Sequence, residues 1–279
     1  MNRPGALKIL GDALFYLILL LVIVYSVFPI YWMLVCSLRP SVELFRRPTI
    51  FPYPFSFESY KLLLAMTRYT LYYENSIIVA LGTTFLTLLI VCPLAYVLSR
   101  LRIWWARVII QLMLAAYMFP ALLLAIPMFV IFAKMRIYDT LTCLVIAHST
   151  ITIPVGAWLM WGFFKNVPYD LEEAAMIDGA TPFGAFLQVV LPLSRSGLIA
   201  TGLFSFIFSW TDYVYALTLI SSDELKTLPL GLAAIFGAVD MRWGEVMAGS
   251  ALITIPSLIA FAFVTRYLIQ GLAAGALKG

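Results

Sequence analysis

The sequence predicts an all-α integral membrane protein with six transmembrane helices and one polar loop on the cytoplasmic side. Hydrophobic residues make up 63% of the 279 residues and charged residues only 11%, whereas a soluble domain carries about 25% charged residues. The apolar residues form long runs, and a helix needs roughly 20 of them to cross a bilayer core. Because the runs are continuously apolar rather than alternating, they are typical of helices and not of membrane β-strands.

Each predicted helix corresponds to one apolar run. Five of the runs contain no charged residue, and the other contains a single one, Asp212. In chain order the predicted spans are 13–38, 75–99, 108–133, 140–164, 197–221 and 246–265. The first run is longer than the apolar core of a secretory signal, which predicts an uncleaved membrane helix. We therefore expect residues 1–279 to form a single transmembrane domain with a C-terminal tail at 266–279.

The distribution of Lys and Arg predicts the orientation. Six crossings place both termini on the same side of the membrane. Long external segments carry charge across a membrane with little effect on topology, so the loop 39–74 is set aside. The remaining Lys and Arg residues favour the side of the termini, which predicts that both termini are cytoplasmic. The polar segment at 165–196 then faces the cytoplasm, and the loop 222–245 faces outward.

The polar segment at 165–196 contains the stretch EEAAMIDGATPFGAFLQVVLP at residues 172–192. This stretch predicts two short helices and a turn. Acids follow Pro168 in the first helical turn, where the helix dipole favours negative charge. Gly179 is suited to end that helix, and Thr181-Pro182 supply a cap and a first position for the next one.

The acidic character of this segment bears on what it contacts. An amphipathic hairpin that lies on lipid headgroups favours a basic polar face. Residues 170–178 instead carry several acids and no Lys or Arg. Acids beside anionic lipid are unfavourable, so this pattern favours a protein partner over a lipid surface.

Two functions are not supported by the sequence. Gly179 and Gly184 have the glycine spacing of a phosphate-binding loop, but Ala185-Phe186 stand where Lys and Ser or Thr are required. We therefore expect that the chain binds no nucleotide or other cofactor itself. The longest basic run is Arg46-Arg47, so no nucleic-acid partner is expected.

The polar segment resembles the EAA loop of ABC importer permeases. The motif positions are Glu173-Ala174-Ala175, Gly179, Val189 and Leu191-Pro192, and Val189 replaces the usual Ile. Other stretches along nearly the whole chain are similar to sugar-type permeases: ENSIIVA (74–80), MFPALLLAIP (118–127), YDTLTCLVIAHSTITIPVGAWLMWGFFKNVP (138–168), SWTDYVYAL (209–217) and RWGEVMAGSALITIP (242–256). The nearest resemblance is to the shorter, six-helix permease of maltose- and trehalose-type importers.

The resemblance implies that the polar segment is a coupling helix seated in a cleft of a cytoplasmic ATPase subunit. Glu173 would pair with a basic group of the ATPase, Ala174 and Ala175 would allow close approach, and Gly179 would permit a tight turn. The residues assigned to ATPase coupling are Glu173, Ala174, Ala175, Asp178, Gly179, Leu191 and Pro192.

The resemblance also implies a set of partners. These are a second homologous permease, two copies of an ABC ATPase that use ATP and Mg²⁺, an extracytoplasmic sugar-binding protein, the lipid bilayer and a carbohydrate substrate. The chain would be a non-catalytic transport subunit in the cytoplasmic membrane of a bacterium or archaeon. It would import a disaccharide or oligosaccharide by alternating access.

Two other functions stay open at this point. The coupling motif fits an importer for an amino acid, a phosphate or a peptide equally well. A secondary transporter that needs no ATPase is a weaker alternative, because paired intramembrane carboxylates or a discontinuous repeat would be expected, and the spans hold only Asp212.

Candidates for the substrate pathway surround Asp212. A charge deep in an apolar span is costly unless it is paired or hydrated, so a functional role is a natural hypothesis. Trp210, Tyr213 and Tyr215 could stack on sugar rings; alternatively, Asp212 lies near the outer interface and the aromatic residues form an interfacial belt. His148, in another span, is either a substrate contact or a hydrogen-bonded structural residue. It lacks companion ligands, so no metal site is predicted.

Overall fold

The computed structural model of the protein describes residues 6–100, 104–237 and 242–276. These residues are largely helical and contain no strand, which confirms the all-α prediction. The helices before the polar segment are α1 (Ala6–Ser37), α2 (Glu43–Arg46), α3 (Glu58–Met66), α4 (Tyr69–Arg100), α5 (Trp104–Tyr117), α6 (Ala121–Lys134) and α7 (Leu141–Lys165). Those that follow are α8 (Asp170–Ile177), α9 (Pro182–Ala185), α10 (Leu191–Leu193), α11 (Arg195–Thr211), α12 (Val214–Leu219), α13 (Leu228–Phe236) and α14 (Trp243–Ala276).

By length and composition, the described residues contain four to six candidate membrane spans, compared with the six that the sequence predicts. Among the described residues, α1, α4, α7 and α14 are each long and apolar enough to cross a membrane. Two pairs of helices are long and apolar enough only when the two members are taken together, and each pair is bent. These pairs are α5 with α6, and the stretch Pro182–Leu193 with α11. Counting each pair as one span gives up to six.

The predicted helix at 108–133 is corrected to two helices. α5 ends at Tyr117 and α6 begins at Ala121, and their axes differ in direction by 93°. Pro120 lies in the break with φ −58° and ψ 129°. Proline has no N–H to continue a helix and disfavours helical backbone at the residue before it. The sequence MFP at 118–120 therefore ends α5.

The last two predicted spans are also corrected. The span at 197–221 is interrupted after Thr211, where Asp212 has extended backbone with φ −67° and ψ 134°. The span at 246–265 belongs to a longer helix, α14, which includes most of the predicted tail. The Ala and Leu residues of the tail are strong helix formers, which accounts for the continuation of the helix. Residues 277–279 lie outside the described residues.

The described residues divide into two compact units. The smaller unit contains the residues up to Thr67 together with Ile235–Leu252. In this unit α1 is exposed over most of its length, as expected of a helix in contact with lipid or another subunit. Arg39, just after α1, is buried, and its Nη2 donates to the carbonyl oxygens of Glu43 at 3.2 Å and Arg47 at 2.7 Å. These bonds fold the following loop back on itself.

The larger unit contains Arg68–Ala234 and the residues from Ile253 onward. Its α4, α7 and α11 pack against one another, and Thr87 and Thr152 share a buried hydrogen bond of 2.6 Å between α4 and α7. A buried core joins α4, α5 and α7 to the polar segment through Phe186 and Val190. The polar segment therefore packs into the core of the larger unit and is not a loop without core contacts.

Close contact between α7 and α11 depends on a glycine. A Cβ placed on Gly197 of α11 would lie 2.5 Å from Cγ and 2.9 Å from Cβ of Phe163 in α7. These atoms are near the backbone of Phe163, so they cannot move aside as the end of a flexible side chain would. The pairing of the two helices therefore requires glycine at this position.

We expect Gly197→Ala to lower the stability of the protein by about 1–3 kcal/mol, because overpacking forces side chains and backbone to shift. Gly162→Ala in α7 is the matched control: no atom lies within 4 Å of its added Cβ, and alanine favours a helix over glycine by about 1 kcal/mol. Thermal unfolding of the detergent-solubilised protein measures both. Equal melting temperatures for the two variants would contradict the packing argument.

Candidate functional site

The candidate site is a hairpin formed by residues 170–193. It consists of α8, a turn, α9, one π-helical turn at Phe186–Val190 and α10. Gly179 in the turn has φ +97°, a left-handed conformation that glycine adopts without strain. Thr181 caps α9, and its side-chain oxygen accepts from the N–H of Gly184 at 3.0 Å. The turn and the cap confirm what the sequence predicted for this segment.

The outer face of the hairpin is free. Glu173, Ala174, Asp178 and Gly179 are exposed, while Ala175 is half-buried. The side chains of Ile177 and Phe183 are 85% and 65% exposed, and Leu191 is half-buried next to exposed Pro192. Acidic groups therefore lie beside exposed apolar side chains on this face.

The inner face of the hairpin is anchored by a buried charge. Glu172, in the first turn of α8, is only 1% exposed and forms an ion pair with Arg100 at the end of α4. Its other carboxylate oxygen accepts from the Tyr96 hydroxyl at 2.8 Å. Arg100 also donates to the carbonyl oxygens of Phe164 at 3.1 Å and Val167 at 3.4 Å. We call Tyr96, Arg100 and Glu172 the anchor cluster.

Sequence reasoning missed the role of Glu172. The sequence assigned it only a favourable position near the start of a helix, together with Asp170 and Glu173. Helical spacing carried a usable signal, because Glu172, Ala175 and Met176 are separated by three and four residues and share one face of α8. All three are buried or half-buried. The partner of Glu172 could not be found in this way, since Arg100 lies in a different helix.

Aromatic packing fixes the second half of the hairpin. The ring of Phe186 lies 4.6 Å from that of Tyr96 and 6.0 Å from that of Phe164. Phe186 and Val190 are buried with residues of α4, α5 and α7. A segment with two of its side chains in the core cannot rotate independently of the helices that form that core. The hairpin is therefore a rigid part of the larger unit.

The structure places Asp212 in a second polar group, the cap cluster, formed by Thr83, His148, Ser209 and Asp212. Nε2 of His148 lies 3.2 Å from Oδ2 of Asp212, and the two side chains are only 1% and 7% exposed. Nδ1 of His148 shares a hydrogen bond of 2.8 Å with Ser209, which donates to Thr83 at 3.4 Å. The acid and the histidine that the sequence singled out separately are therefore neighbours.

Asp212 also holds the break between α11 and α12. Its carboxylate accepts from the N–H groups of Ala216 at 3.1 Å and Tyr215 at 3.4 Å. These are N–H groups at the start of α12 that have no partner within the helix. Asp212 therefore caps a helix in addition to lying beside His148, and its hydrogen bonds to the N–H groups of α12 compensate for its burial.

The aromatic candidates differ in exposure. Trp210 is buried, donates to the carbonyl oxygen of Ile253 at 3.0 Å and stacks on Phe206. Tyr215 is also buried, whereas Tyr213 is 39% exposed. Of the three, Tyr213 therefore offers the most surface to a ligand in this conformation. A role of these residues or of the cap cluster in a substrate pathway stays a prediction.

A set of membrane-length helices that holds a rigid, exposed hairpin with the EAA spacing defines a transporter permease subunit. The family comparison agrees: the chain belongs to the family "binding-protein-dependent transport system inner membrane component", whose model matches residues 91–274. The protein is therefore a multi-pass inner-membrane permease subunit of an ABC importer.

Individual relatives match over nearly their full length. The sulfoquinovosyl glycerol transport system permease protein SmoH of Agrobacterium fabrum is 33% identical, over 96% of this chain and 95% of the relative. The trehalose transport system permease protein SugB of Mycobacterium tuberculosis is 31% identical, over 93% of this chain and 95% of the relative. The fold matches a chain of a bacterial ABC transporter involved in the import of the acidic polysaccharide alginate, with a TM-score of 0.83, 20% identity and coverage of 96% and 99%.

We expect Asp212→Ala to destabilise the protein by about 1–3 kcal/mol, because it leaves the N–H groups of Tyr215 and Ala216 at the start of α12 without their partner. Asp212→Asn keeps a side-chain oxygen that can cap the helix and should be milder. Thermal unfolding in detergent measures both variants. Thr211→Ala, at an exposed neighbour, is the control. An Asp212→Ala variant as stable as this control would show that the cap cluster contributes nothing.

Proposed function

We propose that this chain is one of two membrane subunits of an ATP-driven importer for a carbohydrate, a disaccharide or oligosaccharide. The substrate class is supported by the relatives, since SmoH and SugB are named for the transport of sulfoquinovosyl glycerol and trehalose. The second membrane subunit is a homologous permease, and both termini of this chain lie in the cytoplasm. An extracytoplasmic sugar-binding protein delivers the substrate and provides most of the selectivity.

One observation carries the coupling role: two adjacent glutamates of the motif have opposite environments. Glu172 is buried in the anchor cluster, while Glu173 is exposed beside Ala174. A hairpin with a fixed inner face and a free outer face can receive a partner without deforming. In the proposal, an ATPase subunit binds this outer face, and a basic group in its cleft pairs with Glu173.

The chemistry of ATP takes place in the two ATPase subunits, which bind ATP and Mg²⁺. This chain binds no cofactor and contributes motion. Closure of the ATPases displaces the hairpins of both permeases, and the helices rearrange so that a cavity opens alternately outward and inward. Tyr213 is the candidate side chain for stacking on a sugar ring, and Asp212, His148, Trp210 and Tyr215 support the wall behind it.

Charge reversal at Glu173 tests this proposal. We expect Glu173→Lys to reduce ATP-dependent uptake of the transported sugar and co-purification of the ATPase subunits by more than about tenfold, because loss of one partner of a desolvated charge pair leaves the other unpaired. Uptake of radiolabelled disaccharides is measured in cells that carry the native operon. The permease itself is quantified in the membrane fraction. Asp12→Lys applies the same charge reversal to an exposed acid of α1 and should leave uptake unchanged.

The two parts of the proposal fail in different ways. Uptake and co-purification that are unchanged in Glu173→Lys would contradict the role of Glu173 in binding the ATPase. A wild-type complex that retains its ATPase subunits but imports none of the sugars would contradict the carbohydrate assignment. Amino acids, phosphate and peptides are then the next substrates to test.

A further inference from the structure

The anchor cluster joins three separate segments of the chain through one guanidinium group. Arg100 is the last residue of α4, Glu172 lies in α8, and Phe164 and Val167 belong to the end of α7 and the turn after it. The carbonyl groups at the end of a helix lack partners within the helix and attract a cation. Arg100 donates at the same time to the carbonyl oxygen of Phe164, which also accepts from the N–H of Val167, to the carbonyl oxygen of Val167 and to the carboxylate of Glu172.

The backbone connections on either side of the hairpin transmit a displacement of the hairpin poorly to the neighbouring helices. The turn Asn166–Tyr169 links it to α7, and a bend of 78° at Ser194 separates the stretch that ends at Leu193 from α11. Rotation about the backbone in such breaks can absorb a displacement of the hairpin. α4 has no covalent connection to the hairpin nearby, since Arg100 and Glu172 are 72 residues apart in the chain. A non-covalent link is therefore needed where α4 meets α8.

The anchor cluster has the geometry of such a link. Burial of Phe186 and Val190 holds the second half of the hairpin, but apolar contacts have little directional preference and do not by themselves set the orientation of α8 on the end of α4. A charged, forked hydrogen-bond donor fixes distance and orientation together. Tyr96 lies one helical turn before Arg100, donates to the same carboxylate and packs its ring on Phe186. The cluster thus holds both halves of the hairpin against the end of α4.

We propose that Arg100 and Glu172 are positioning residues that pass the displacement of the hairpin to α4 and α7, so that ATP hydrolysis is coupled to movement of the membrane helices. This inference rests on the proposed function, because it needs an ATPase that pushes on the outer face. Neither residue touches that partner. Arg100 and Glu172 are 17% and 1% exposed, in contrast to Glu173 on the surface.

The inference predicts uncoupling and not simply loss of activity. The complete complex is reconstituted in proteoliposomes, and the sugar imported per ATP hydrolysed is measured together with the amount of ATPase bound. We expect Glu172→Gln to lower the ratio of sugar to ATP by between about 2-fold and 30-fold, the range in which residues of a coupling network act. The amount of bound ATPase should stay that of the wild type, because the outer face is intact.

Matched variants separate this effect from instability and from loss of docking. Tyr96→Phe keeps both buried charges and removes one hydrogen bond, so it should lower the same ratio by a smaller factor. Glu173→Gln alters the outer face and should lower the amount of bound ATPase. Asp12→Asn removes an exposed carboxylate of α1 and should change neither quantity. An unstable variant lowers sugar import and ATP hydrolysis by the same factor and leaves their ratio constant.

Either of two results would overturn this inference and leave the proposed function intact. The first is a wild-type ratio in both Glu172→Gln and Tyr96→Phe. The second is loss of bound ATPase in Glu172→Gln equal to that in Glu173→Gln, which would make Glu172 part of the docking surface. A wild-type permease that binds no ATPase would instead overturn the proposed function and this inference with it. If Glu172→Gln does not assemble, the ratio in Tyr96→Phe decides.

Discussion

Unpaired backbone groups at helix ends are the physical constraint on which the polar organisation of the larger unit depends. An apolar surrounding offers no water to satisfy these groups, and each one left unpaired is costly. Arg100 donates to the carbonyl oxygen of Val167 in the turn after α7, and Asp212 accepts from N–H groups at the start of α12. Arg100 is partly buried and Asp212 almost fully so, and each has a second ionisable group beside it: Glu172 for Arg100, and His148 for Asp212.

This constraint also explains why the hairpin is rigid. Once Arg100 has been placed at the end of α7, its remaining donor capacity and charge favour a carboxylate at that position, and α8 supplies Glu172. In the same hairpin Phe186 packs on Tyr96 and lies in the core shared by α4, α5 and α7. The outer face of the hairpin does not pack against the core, and most of its side chains are exposed. One electrostatic contact thereby fixes which face of the hairpin is available to a partner.

The parts of the structure that depend on local sequence were predictable, and those that depend on distant pairing were not. The apolar runs, the turn at Gly179 and the cap at Thr181 follow from composition and neighbouring residues. The bend at Pro120 also carried a local signal, because proline breaks or kinks a helix. Asp212 contacts His148, and Glu172 pairs with Arg100, although each pair comes from different helices. The periodicity of a single sequence does not predict such contacts between helices.

The motif itself shows how one helical step separates two environments. Adjacent residues of an α-helix point about 100° apart, which is enough to place Glu172 inside and Glu173 outside. A partner that binds the outer face of α8 therefore meets a helix whose opposite side rests on the anchor cluster. Force applied at Glu173 crosses α8 before it reaches either backbone break of the hairpin. In the proposed importer, the shortest route from the ATPase to α4 and α7 is thus across a single helix and through one guanidinium group.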